Sequence, residues 1–151
     1  MEKSYKAQAS MEYLLIIALT LGIIVPTTYL FYNYSKASSQ ELVDAQLVKL
    51  GRTIVDTSET IFYTGEGSKT VLELNVPDNV VNAQIVDGRE LVFNITTNFG
   101  DEEIVFISNV NLTTNGANCI ANVCKLPDLS NSGFKKIRIQ ATKSSAFIDT
   151  A

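Results

Sequence analysis

Tyr13-Leu14-Leu15-Ile16-Ile17-Ala18-Leu19-Thr20-Leu21-Gly22-Ile23-Ile24-Val25-Pro26-Thr27-Thr28-Tyr29-Leu30-Phe31-Tyr32-Asn33-Tyr34-Ser35 is the stretch whose reading decides the architecture. It runs for 23 residues between Glu12 and Lys36 without a charged side chain. About 20 apolar residues in a helix cross the hydrocarbon core of a bilayer. A helix that is apolar on all sides needs a membrane, a protein core or other copies of itself around it.

Towards the C-terminus the pattern changes period but not type. Val43, Leu47, Leu50, Ile54, Thr57 and Ile61 recur at spacings of three and four, a helical stripe. Glu41, Asp44, Lys49, Arg52 and Asp56 lie off it. Ser10 to about Tyr63 therefore reads as one helix with an apolar first half and an amphipathic second half. At ~1.5 Å per residue such a helix would reach ~80 Å. A chain of 151 residues cannot bury a helix of that length, so the apolar half is expected to protrude. Pro26 lies inside that half, where it removes a backbone hydrogen bond and favours a kink.

Gly65-Glu66-Gly67-Ser68 ends the helical pattern, and alternation with period two follows. Thr70, Leu72, Leu74 and Val76 share one face, and Pro77-Asp78 turns the chain. Val81, Ala83 and Ile85 lie on one strand's face, with Leu91, Phe93 and Ile95 on the next. Asp87-Gly88 between them is a hairpin signal. A loop of two residues would set Ile85 against Glu90. A loop of three or five sets Ile85 against Leu91, Ala83 against Phe93 and Val81 against Ile95, which keeps all six apolar residues on one face. Ile104, Phe106, Val110 and Leu112 form a further inward row, and Ile137, Ile139 and Ala141 the last. The expected fold class is α+β: a long N-terminal helix whose second half carries an antiparallel β-sheet head.

Three Asn-x-Ser/Thr triplets occur, at Asn33, Asn94 and Asn111. Asn94 falls between inward Phe93 and Ile95, and Asn111 between inward Val110 and Leu112. Both are expected to face solvent and are the N-glycosylation candidates. Asn33 closes the apolar half and is the weaker candidate. Cys119 and Cys124 are the two cysteines. With no other soft ligand beside them and without Cys-x-x-Cys spacing, a disulfide in an oxidising compartment is the simple reading. Asp101-Glu102-Glu103 reads as a solvated acidic turn between strands rather than a calcium site.

Composition narrows the function classes. The net charge is −4, with dispersed charges, which gives no support for nucleic-acid binding through phosphates. These residues include no His, so Ser-His and Cys-His catalytic pairs and the common His-containing zinc sites are excluded. No nucleophile motif or acid pair points to an enzyme, and no cofactor or metal is expected.

The first residues settle how the apolar run is read. Lys3 and Lys6 precede it, and positive charge on a short N-terminal flank favours retention of that flank in the cytoplasm. A secretory signal would have a shorter apolar region followed by a small-residue cut. Here Lys36-Ala37-Ser38-Ser39 is at best a weak cleavage site. A plain membrane anchor fits the length but gives no role to Glu12. Lys6-Ala7-Gln8-Ala9-Ser10-Met11-Glu12, with the apolar run behind it, resembles the class III signal peptide of archaeal type IV prepilins. The matches are Lys6, Ala7, Gln8, Ser10 and Glu12, with Ala7 where a Gly often stands. The resemblance covers only about the first 35 residues.

The resemblance implies that a prepilin peptidase cuts between Ala7 and Gln8 on the cytoplasmic side. Residues 1–7 would be a leader, 8–63 a long helix with 13–34 as membrane span and filament core, and 64–151 the head. Loss of Lys3, Lys6 and Glu2 from 12 basic and 16 acidic residues would leave 10 and 15, a net charge of −5. The cut would create an amino terminus one helical turn from Glu12. In an apolar filament core a lone carboxylate is costly, and a neighbour's amino terminus is its natural partner. Glu12 would then set assembly register. The resemblance also implies that a helix breaker such as Pro26 allows local melting on leaving the bilayer; a silent kink is the alternative.

The implied life history begins as a precursor in the cytoplasmic membrane. It ends as a homo-oligomeric extracellular filament for adhesion, built by the pilus assembly machinery. A membrane-anchored binding domain or minor tip pilin is the alternative. Tandem mass spectrometry of the mature chain is expected to find Gln8 as the first residue; Met1, or a start near Ala37, would remove the pilin reading.

Overall fold

The computed structural model describes the backbone of residues 3–97 and 100–150, and the side chains of residues 11–36, 38, 41–97 and 100–149. The chain is α+β: a single long helix, α1 (Lys3–Thr64), precedes nine strands. By contacts it divides into two compact units, Met1–Glu41 and Leu42–Ala151. The second half of α1 thus belongs to the same unit as the strands.

Helix α1 stops where the sequence supplies a glycine. Gly65 has φ +118°, a conformation that costs other residues a Cβ clash. Its N–H donates to the carbonyl of Phe62 at 3.2 Å, which closes the last turn. The strands that follow are β1 (Lys69–Val76), β2 (Val80–Val86), β3 (Glu90–Thr97), β4 (Gly100–Ile107), β5 (Leu112–Thr113), β6 (Cys119–Ile120), β7 (Val123–Lys125), β8 (Gly133–Ala141) and β9 (Ala146–Thr150). They form two sheets, ordered β1-β8-β9-β5 and β4-β3-β2-β7-β6. All pairings are antiparallel except β5 with β9.

The hairpin between β2 and β3 follows the odd-loop expectation. Ile85 pairs with Leu91 and Ala83 with Phe93 across the three-residue loop Asp87-Gly88-Arg89. Asp87 and Gly88 both adopt positive φ, and the Arg89 N–H bonds the Val86 carbonyl. The far end of the pairing differs from expectation. Val80, not Val81, pairs with Ile95, because a bulge between Val80 and Asn82 shifts the register. One extra residue reverses the parity, so Val80 is buried and Val81 is 61% exposed.

The inward row expected from Ile104 to Leu112 is split. Ile104 and Phe106 line β4, while Leu112 sits in β5 of the other sheet, after an irregular segment that holds buried Val110. Asp101-Glu102-Glu103 is not a turn but the first half of β4. There Asp101 accepts from Thr96 at 2.8 Å and Glu103 from Asn94 at 2.9 Å. The short strands β5–β7, and β9, were not apparent in the alternation. Their apolar residues are few or separated by Asn, Gly and Ser.

The core of the second unit joins helix and both sheets. Leu47, Leu50, Ile54 and Val55 of α1 cluster with Phe93, Ile85, Leu91, Ile95, Leu112, Ile137, Ile139 and Ile148. The helical stripe is therefore read correctly at Leu47, Leu50 and Ile54. It is broader than its apolar residues suggest: Gly51 and Ser58 are also buried. The hydroxyl of Ser58 donates to the Ile54 carbonyl at 2.7 Å, so it needs no partner from the sheets. Gly51 admits the ring of Phe106, which occupies the space a Cβ would take. Glu59 fixes the end of the helix by accepting from the backbone and side-chain amides of Asn109, at 2.8 and 3.1 Å.

Gly51→Val is expected to lower the stability of the folded chain by about 2 kcal/mol, since overpacking a filled site typically costs 1–3 kcal/mol. Adding Phe106→Ala should recover part of that loss, and denaturant titration of the two single variants and the double measures the coupling.

Candidate functional site

The feature with the strongest physical demand is the first unit. Every described side chain from Met11 to Lys36 is exposed. The set includes Leu14, Leu15, Ile16, Leu19, Ile23, Ile24, Val25, Leu30 and Phe31. Apart from the Gly22 carbonyl, which meets Pro26, the backbone of the segment is nonetheless satisfied by the helix itself. Its threonines are satisfied too: Thr20, Thr27 and Thr28 donate to the carbonyls of Ile16, Ile23 and Ile24 at 2.7–2.8 Å. These bonds hide three hydroxyls from an apolar surrounding. The helix is long and apolar enough to cross a membrane.

Polar and aromatic groups mark the two ends. Tyr13 stands beside Glu12 at one end, and Tyr29, Tyr32, Tyr34 and Lys36 at the other, all exposed. Lys36 places its Nζ 4.8 Å from the centre of the Tyr32 ring, a cation–π contact. From Tyr13 to Tyr32 the helix rises by roughly 28 Å, close to the thickness of a hydrocarbon core. Tyr at both margins, with Lys36 at one, is what membrane interfaces favour.

Pro26 lies within α1, four residues after Gly22. It supplies no N–H for the Gly22 carbonyl, so one rung of the helix is missing at that point. Glu12 is exposed and immediately precedes the apolar run that begins at Tyr13. Ala7 and Gln8, the expected cleavage pair, lie outside the described side chains.

The three sequons separate once folded. Asn33 is exposed on α1 within the apolar half. Asn94 is half-buried, not turned out to solvent as its parity suggests. Its Nδ2, the atom that would carry a glycan, donates to Glu103, and its Oδ1 is enclosed. The cause is its place in the middle of a sheet. β3 lies between β2 and β4, so side chains from both flanks cover its outward face. Asn111 is exposed, beside the Asp87-Gly88 turn, with its Oδ1 packed over Gly88.

Cys119 and Cys124 form the disulfide that the sequence suggests. They face each other across the β6–β7 hairpin, whose turn residue Ala121 has φ +55°. The hairpin carries Ile120, 81% exposed. Other apolar side chains are exposed on strands as well: Ile107, Val105 and Phe134. Sequence reasoning passed over them, although each has the outward parity of its strand.

Compared with known protein families, curated proteins and solved structures, the chain matches none.

Replacing Cys119 and Cys124 together by Ser should lower stability by roughly 2 kcal/mol on the loop-closure model, read as a fall in thermal midpoint that reductant reproduces in the native chain. Glycopeptide mapping of the protein from its native cells should find sugar at Asn111 in preference to Asn94.

Proposed function

We propose that the chain is the structural subunit of an archaeal type IV pilus-like extracellular filament, first held in the cytoplasmic membrane and then polymerised through its apolar helix. The observation that carries this reading is the continuous exposure of the apolar helix from Met11 to Lys36. At about 25 cal/mol per Å² of apolar surface, leaving those side chains in water is costly. A bilayer covers them before assembly, and the helices of other copies cover them afterwards.

Two further features support the same reading. The carboxylate of Glu12 stands at the start of the run, where the leader resemblance at Lys6, Ala7, Gln8 and Ser10 puts a new amino terminus one turn away. The outer part of the chain is a separate compact unit with its own core and disulfide, suited to an oxidising exterior. The filament would serve adhesion, with the sheet unit on its outside. Prepilin peptidase and a pilus assembly machinery are the partners that such a life history requires.

The test is Glu12→Ala in the full chain, expressed with its own secretion machinery. The variant should be processed and inserted normally, yet filaments sheared from the surface should be lost. Removing one member of a buried ion pair costs about 3–5 kcal/mol, ample to prevent addition of each subunit. Filament yield equal to the unaltered chain would refute the pairing of Glu12 with an amino terminus. An unaltered chain that stays in the membrane fraction and never enters filaments would point to a membrane-anchored binding domain instead.

A further inference from the structure

The two sheets of the second unit present different chemistry to the outside. Both contribute their inward faces to one core, so their outward faces are turned away from each other. On β8 the outward line runs Phe134, Lys136, Arg138, all exposed. On β4 it runs Asp101, Glu103, Val105, Ile107, also all exposed. Alternate residues of a strand repeat about every 7 Å in both cases. Laid antiparallel, the two lines match step for step: Arg138 with Asp101, Lys136 with Glu103, Phe134 with Val105.

The flanks carry charge of both signs. Beside β8, the outward side chains of β1 add Lys69 and Val71, with Glu73 opposite Lys136, and β9 sets Asp149 opposite Arg138. Beside β4, β3 adds Glu90 opposite Ile107. The β4 line is also an open sheet edge, since β4 pairs with β3 alone. Natural edges are usually blunted by Lys, Pro or a bulge. Here Gly100–Ile107 has none of these in its second half, Ile104-Val105-Phe106-Ile107, where Ile107 is 74% exposed. An apolar, exposed half-strand next to an acidic half-strand is a surface made for a partner that is apolar and basic in the same order.

We propose that the outward β8 face of one copy docks on the outward β4 face of the next, so that the sheet units themselves form a head-to-tail interface. The occupant is a second copy of this chain, because the complementary line is found on the chain itself. Two different faces meet, so the contact is heterologous and can repeat from copy to copy. Stacked faces sit about 10 Å apart, a distance at which Phe134, Val105 and Ile107 interdigitate. The charges favour this register, since a shift by one pair either places Glu103 against Phe134 or leaves Lys136 against Val105. Lys136 already reaches Glu73 at 2.6 Å, but both are 55% exposed. An exposed pair of this kind is worth well under about 1 kcal/mol and is readily exchanged. This inference extends the filament reading to the outer layer, but the docking can be tested without it.

Two full-length variants, Glu103→Cys and Lys136→Cys, are made with different epitope tags and expressed together. Surface filaments and membranes are then treated with a short bis-maleimide cross-linker, because faces about 10 Å apart put the two thiols beyond the reach of a direct disulfide. The expected result is a mixed dimer carrying both tags, and a ladder of multimers when one chain carries both substitutions. Each single variant alone should give no more than background. Absence of the mixed dimer, or equal cross-linking by either single variant alone, would overturn the docking. Filaments without the ladder leave the filament reading standing and remove this one. A ladder in membranes that yield no filaments does the reverse. Since a cysteine at position 103 also loses the bond from Asn94, charge exchange gives an independent readout. Glu103→Lys and Lys136→Glu should each reduce recovered multimers about tenfold, corresponding to ~1.4 kcal/mol. The chain with both should recover to within about threefold of the unaltered one, on the same conversion. Failure of the exchange to restore multimers would count against the docking.

Discussion

Apolar surface left in contact with water is the constraint on which the rest of this molecule turns. From Met11 to Lys36 the helix satisfies its own backbone except at the Gly22 carbonyl, and its threonines satisfy themselves against preceding carbonyls. The described side chains of this segment, most of them apolar, are exposed. Such a segment is stable as a helix in hydrocarbon and also in a bundle of identical helices. The filament proposed above requires both surroundings in turn. The aromatic and charged margins, Tyr13 with Glu12 and Tyr32 with Lys36, define the height of the slab it fits.

The second unit solves a different problem with the same helix. Residues 42–64 of α1 lose the all-round apolar character and keep one buried side, where Leu47, Leu50 and Ile54 meet the sheets. Gly51 and Ser58 widen that side by being small rather than by being apolar. The bond that Asn109 donates to Glu59 and the Cys119–Cys124 disulfide hold loops that the short strands β5–β7 would not hold alone. In the proposed filament, the apolar helices supply cohesion without direction. The patterned lines on β4 and β8 would then add the register that a greasy interface lacks.

Much of this was legible in the sequence, and by identifiable signals. The 23-residue uncharged run, the three-and-four spacing after it and the glycine at position 65 give α1 and its end. Alternation plus the burial parity of six apolar residues gives the β2–β3 register, down to the choice of an odd loop. These features are local: period, loop length and one special φ decide them. The cysteine pair was legible too, because a hairpin-sized separation leaves few other uses for two thiols.

What escaped was decided by neighbours far apart in the chain. The bulge at Val81 exchanges two valines that are identical as letters, and only the pairing with β3 distinguishes them. The row from Ile104 to Leu112 divides because β5 finds its partner in β9, more than 30 residues later. Asn94 and Asn111 have the same outward parity, yet β3 is flanked on both sides and Asn111 is not covered, so one is enclosed and the other free to solvent. Sequence by itself thus determined the helix, its apolar half and the alternation of the strands, because backbone periodicity and hydrophobic burial act over a few residues. Tertiary structure alone decided which sheet each strand joined and which polar or apolar outward residues remained at the surface, because exposure depends on what lies beside a strand and not on the strand itself.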